Sequence, residues 1–106
     1  MIASRLQLMT GMTFNRNRLR AVCERFGVER LEVFGSMARG TASAKSDVDL
    51  LYTLAPGKRL GWAIEDLETD LAKEFGRPVD LVSRNALNVL LPEEILKEAQ
   101  PLYAAA

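Results

Sequence analysis

The stretch Asp47-Val48-Asp49-Leu50-Leu51-Tyr52-Thr53-Leu54 decides how this chain is read. It reads as a strand, and a strand sends alternate side chains to opposite faces, so Asp47 and Asp49 point the same way. Two hard oxygen ligands side by side suit a divalent cation such as Mg²⁺, which takes few carboxylates and completes its shell with water and phosphate oxygens. The pair therefore points toward phosphate chemistry. By itself it is a weak sign. In a chain with 14 acidic residues, two acids two apart are common, and Asp47 also reads as a turn residue or cap, Asp49 as an exposed edge-strand position.

Upstream, a second strand-like run, Arg30-Leu-Glu-Val-Phe34, ends in Gly35-Ser36. Glycine accepts positive φ and leaves its backbone N–H open to a close-approaching phosphate. Ser36 adds a small hydroxyl donor, and a helix starting there would aim its N-terminal donors at an anion. The plainer alternative is a turn that ends a strand.

Around these two strands the chain alternates helix and strand with no linker and no repeat. Leu19, Val22, Cys23 and Phe26 recur at helical spacing between Asn15 and Phe26, and Gly27 supplies a stop. After the break at Ala55-Pro-Gly57, Leu60, Ile64, Leu67, Leu71 and Phe75 predict a long helix closed by Gly76 and Pro78. Val79–Val82 reads as a third strand, and Pro92 opens a short last helix to about Ala99. The pattern predicts an α/β (α+β) fold: a small mixed sheet of three to four strands with helices mainly on one face, leaving the other for a polar site. Residues 1–13 form an extension, frayed or helical, and 14–106 a single domain. Asp80 interrupts the apolar third strand, where an acid is costly unless it faces solvent, a cation or a donor. If this strand lies beside the second, Asp80 reaches Asp47 and Asp49, and three clustered carboxylates call for a cation; otherwise Asp80 is an exposed edge residue.

Composition narrows the field. The chain's 106 residues suffice for one core and fall short of two. Fourteen basic residues offset fourteen acidic ones, so net charge favours neither nucleic acid nor a membrane surface as partner. There is no apolar run of transmembrane length and no secretory leader, and the lone Cys23 fits a reducing compartment, so a cytoplasmic location is expected. Cys23 falls on an apolar helix stripe and reads as core. With no histidine, Ser-His, Cys-His and His-metal sites are excluded.

Gly35-Ser-Met-Ala-Arg-Gly40 followed by Ser46-Asp-Val-Asp-Leu50 resembles the signature of the polymerase-β-type nucleotidyltransferases. The short length and the Ala38-Arg39-Gly40 extension resemble the minimal nucleotidyltransferase branch, which includes antitoxins encoded beside HEPN-domain ribonuclease toxins. The likeness spans roughly residues 14–103. It implies a two-metal nucleotidyl transfer in which Asp47 and Asp49 hold the Mg²⁺ that bridges the triphosphate of ATP. Asp80 becomes the third catalytic carboxylate, sharing a second Mg²⁺ and serving as general base. Gly35 and Ser36 would cradle the β- and γ-phosphates, Ser46 would orient its loop, and Arg39 would contact phosphate or brace its loop by a salt bridge. Lys45 reads as a surface charge. The implied acceptor is a tyrosine hydroxyl of a HEPN toxin. Two alternatives stand beside it: a binding antitoxin that masks its partner without chemistry, and a nucleotidyltransferase for a small molecule. Trp62, off the main apolar stripe, is either an interface anchor or a partly buried core residue. The tail from Pro101 is a docking or frayed end, with Tyr103 a further candidate acceptor of AMP.

Overall fold

The computed structural model describes residues 5–7, 13–35, 38, 47–90 and 93–105. Strands β1 (Arg5–Gln7) and β2 (Thr13–Asn15) form an antiparallel hairpin, with Leu6 opposite Phe14. The N-terminal extension therefore does not lengthen the first helix. Asn15 is extended, at φ −92° and ψ 117°, and its side chain accepts from the Arg18 backbone N–H at 3.0 Å, which caps helix α1 (Arg16–Phe26) and fixes its start. Gly27 closes α1 by donating its N–H to the Cys23 and Glu24 carbonyls, and β3 (Val28–Phe34) begins at the next residue. Leu19, Val22 and Cys23 form the buried stripe that the periodicity predicted.

Strand β4 (Val48–Leu54) pairs antiparallel with β3, and β5 (Val79–Ser83) pairs parallel with β4. Between them lies α2 (Ile64–Phe75), which buries Leu67, Leu71 and Phe75 and carries Glu65 and Asp66 in its first turn, where the helix dipole favours acids. It starts later than the apolar pattern suggests. Leu60 lies before it, and Gly61–Ala63 makes a 3-10 turn instead. Trp62 sits on that turn and is 93% exposed, so the partly buried core reading is corrected.

Besides the β1–β2 hairpin, two further elements are absent from the sequence reading. Helix α3 (Arg84–Leu90) follows β5 directly, in a stretch without a clear apolar stripe. Strand β6 (Gln100–Ala104) replaces the frayed tail and pairs antiparallel with the far side of β3, with Tyr103 opposite Leu31. Its Pro101 disguised it, since proline cannot donate to a ladder and is confined to edges such as this one. Helix α4 (Glu93–Leu96) is the short last helix, ending before Ala99.

The main sheet thus has the order β5-β4-β3-β6, four strands of mixed direction. Leu31 and Val33 of β3, Val48 and Leu50 of β4, and Leu81 of β5 enter one core with the stripes of α1 and α2. Phe14 joins it edge-on to Phe75, with ring centroids 5.5 Å apart. Because side chains alternate along a strand, the residues between these, Glu32, Asp49, Leu51 and Asp80, project from the opposite face. Helix α3 packs against β4 and β5. Its first residue, Arg84, reaches Glu32, which places this helix on the second face. Among the described residues no helix is long and apolar enough to cross a membrane.

Candidate active site

The site is built where β3 ends and β4 and β5 begin. The Val48 N–H donates to the Pro78 carbonyl at 2.9 Å, which starts the parallel ladder. From there the register runs Val48 to Val79, Asp49 to Asp80 and Leu50 to Leu81. Asp49 and Asp80 are thus direct neighbours on adjacent strands, about 4.8 Å apart in the ladder direction. On its other side Asp49 stands opposite Phe34, the last residue of β3, and Gly35 turns the chain away. Asp49 is half-buried between its neighbours, while Asp47, one residue ahead of β4, and Asp80 are exposed.

Gly35 is required here twice over. Its φ of 72° is a conformation that side-chain-bearing residues rarely adopt, and a Cβ built on it would lie 2.6 Å from Asp49 Oδ2. The bare backbone of the turn is therefore pressed against the carboxylate. A phosphate bridging these two groups would find an N–H donor and a carboxylate-held cation on one spot.

The donors suit Mg²⁺ in kind, being carboxylate oxygens beside an open backbone turn. Their grouping is looser than the sequence implied. Among the described residues no three Asp, Glu, His or Cys side chains are gathered closely enough to hold a metal ion. The register joins Asp49 to Asp80, whereas Asp47 lies outside the ladder and is not drawn in by it. Ser36, Arg39, Lys45 and Ser46 lie outside the described residues.

Tyr103 and Cys23 belong elsewhere. Tyr103 pairs with Leu31 and packs against the core under the helices, so it is on the face away from Asp49. Its hydroxyl pKa is raised, chiefly by burial and then by the nearby Cys23 and Glu24, with Arg20 opposing. Cys23 is fully buried and its thiol is pushed up to about 12 by burial, with Glu24 adding to the effect, so it is core and no nucleophile. A cavity of about 340 Å³ lined by Tyr52, Thr53, Ser83 and Asn85 lies at the opposite ends of β4 and β5 from the aspartates.

Sequence reasoning missed the residues that brace the site. Glu32 is 3% exposed, on the same face as Asp49, and accepts from Arg84 Nη1 at 3.0 Å, with Arg30 Nη2 at 3.6 Å on its other oxygen. Gln100 on β6 donates its side-chain N–H to the Ala38 carbonyl at 3.1 Å, which ties Ala38 to the sheet. One signal was available for Glu32: an acid in the middle of an apolar strand needs a partner. The partner's identity was not readable, because 52 residues separate Glu32 from Arg84.

The comparisons with known proteins agree with this fold. The model of the nucleotidyltransferase domain family matches residues 16–102. The protein adenylyltransferase MntA of Thermococcus cleftensis is 39% identical over 87 residues, covering 82% of this chain and 84% of that one. A solved structure assigned to the minimal nucleotidyltransferases is 40% identical, with a TM-score of 0.66 over 81% of this chain and 87% of the other. The complex of a tri-AMPylated HEPN toxin of Shewanella oneidensis with its MNT antitoxin shares the fold, at 18% identity and a TM-score of 0.57, covering 85% of this chain and 70% of the matched one. Fold, motif and relatives converge: this chain belongs to the nucleotidyltransferase domain family, in its minimal branch, and is a nucleotidyltransferase.

Proposed function

We propose that this chain transfers AMP from ATP to a tyrosine hydroxyl of a HEPN-domain toxin and thereby acts as its antitoxin. The observation that carries the reading is the Asp49–Asp80 register beside the bare turn at Gly35. The chemistry of the relatives supports it: one is named a protein adenylyltransferase and another sits with an AMPylated HEPN toxin.

In this reading the acceptor oxygen forms a bond to the α-phosphorus of ATP, the bond to the bridging oxygen breaks, and pyrophosphate leaves. Asp47, Asp49 and Asp80 would hold Mg²⁺, which when bound neutralises triphosphate charge and lowers the pKa of the attacking hydroxyl. Asp80, exposed on the edge strand, takes the hydroxyl proton as general base. The Gly35 N–H binds a non-transferred phosphate and stabilises charge on the departing pyrophosphate. Ser36, Arg39 and Ser46 serve the same phosphates. A bulky anion added to the toxin then blocks RNA by repulsion and sterics. A cytoplasmic setting fits the buried free thiol of Cys23.

A second reading is favoured by one observation. Trp62, Val89 and Leu90 are 93%, 84% and 74% exposed, which suits a protein that masks its partner by contact alone. A small-molecule acceptor has no comparable support.

The test is mass spectrometry of the partner toxin after incubation with this chain, Mg²⁺ and each nucleoside triphosphate. Wild type is expected to add whole AMP units to a tyrosine. Asp49→Asn is expected to lower the rate by about 100-fold or more, at least the loss seen when a metal ligand's supporting shell is removed, with the fold retained. A toxin silenced equally by Asp49→Asn and by wild type, but not by Trp62→Ala, would replace transfer with masking.

A further inference from the structure

We propose that the ion pair between buried Glu32 and half-buried Arg84 is a positioning clamp that holds Asp80 in register beside Asp49. The clamp rests on the reading of the aspartates as the transfer site.

The geometry starts with an asymmetry in the sheet. Asp49 lies on β4, which has a partner strand on each side. Asp80 lies on β5, which has only β4 among the described residues. The two carboxylates stand side by side in the ladder, so any slip of the edge strand would change their spacing. The five paired residues from Val79 to Ser83 resist this, and only Leu81 among them is buried. The strand needs a second tether.

Arg84 supplies one. It follows β5 without an intervening residue, opens α3, and donates to Glu32 Oε1 at 3.0 Å. Glu32 lies on β3, so the link crosses β4 and ties the two strands that flank it. On β4 the residue paired with Glu32 is Leu51, two positions from Asp49 on the same face and fully buried. The bridge therefore passes over the strand that carries Asp49 and is fastened four residues after Asp80.

Burial makes the tether directional. Glu32 is almost fully shielded and Arg84 is mostly shielded, so the charge of Glu32 is not screened by water. Arg30 approaches its second oxygen, and no buried side-chain polar atom among the described residues lacks a partner. A buried pair of this kind adds little net stability over well-packed apolar residues, because desolvation offsets the attraction. Its contribution here is one arrangement of β5 relative to β4, which a greasy contact of the same volume would not specify.

The discriminating variant is the double replacement Glu32→Met/Arg84→Met, made beside each single change and beside Glu32→Gln. Three quantities are read: the melting temperature, the affinity for Mn²⁺ by calorimetry with AMP-PNP present, and kcat against KM for ATP. The single Arg84→Met leaves the buried Glu32 carboxylate only the longer contact to Arg30 and is expected to lower the melting temperature clearly. The double variant is expected to melt within a few degrees of wild type, yet to bind Mn²⁺ about tenfold more weakly. Its kcat is expected to fall about tenfold with KM within about twofold, because Gly35 is untouched. A double variant that matches wild type in both Mn²⁺ affinity and kcat would overturn the clamp and leave the transfer site standing. Wild type that neither binds Mn²⁺ nor transfers AMP would overturn the site reading and the clamp's role with it.

Discussion

The two faces of the sheet are built from alternate residues of the same strands and obey different rules. On one face, Leu31, Val33, Val48, Leu50 and Leu81 meet the stripes of α1 and α2 in one hydrophobic cluster. On the other, the intervening positions hold Glu32, Asp49 and Asp80, with Leu51 buried among them and Arg84 reaching over. The first face gains stability by removing hydrocarbon from water, about 1.5–3 kcal/mol for each large side chain fully buried. The second keeps charges that contribute little to stability and that, in the proposed function, carry the chemistry. A period of two lets one strand do both.

This division is tested most severely by Leu67→Ala on α2. Leu67 is fully buried in the core. Its truncation is expected to cost about 2–5 kcal/mol in urea or thermal unfolding, while the rate per folded molecule stays at the wild-type value. A rate that falls along with stability would mean that the faces are not separable.

Gly35→Ala crosses the boundary between the two. The left-handed backbone penalty is about 1–2 kcal/mol, and the new methyl group meets Asp49 Oδ2. We expect a modest drop in melting temperature with a disproportionate loss of AMP transfer and of Mn²⁺ affinity. An alanine variant with full activity would show that the turn does not crowd the carboxylate.

The smallest effect concerns the apolar face and pH. The Cys23 thiol is raised from 9.0 to about 12 by burial. The folded state holds this proton more tightly than the unfolded chain, so its contribution is intact below pH 9 and is lost as pH rises toward 12. One pH unit within that span corresponds to at most about 1.4 kcal/mol. Cys23→Val, which removes the titration, is expected to show a flatter decline in stability between pH 9 and 10 than wild type. Parallel declines would mean that the thiol is not the group responsible. Aspartate substitutions on the other face leave this slope unchanged.

Elements with a strong local period were legible in the sequence, and elements defined by their neighbours were not. The stripes of α1 and α2 and the apolar runs of β3, β4 and β5 were readable because each repeats within a dozen residues. Strand β6 contains a proline and only two large apolar residues, so nothing local marks it; it exists because β3 offers it an open edge. Helix α3 has no apolar stripe, and Val89 and Leu90 remain exposed at its end.

The candidate site divides along the same line. The chain itself determined that Asp49 lies on a strand with a second acid two residues ahead of it, that a glycine turn ends the preceding strand, and that an acid interrupts the third strand. Residue type and a period of two suffice for those statements, because they concern neighbours along the chain. Only the tertiary structure decided that β5 lies parallel to β4 with Asp80 at the level of Asp49, that Gly35 touches Asp49, and that Glu32 finds Arg84. These depend on strand order and register, set by how the whole core packs and therefore invisible in any single segment.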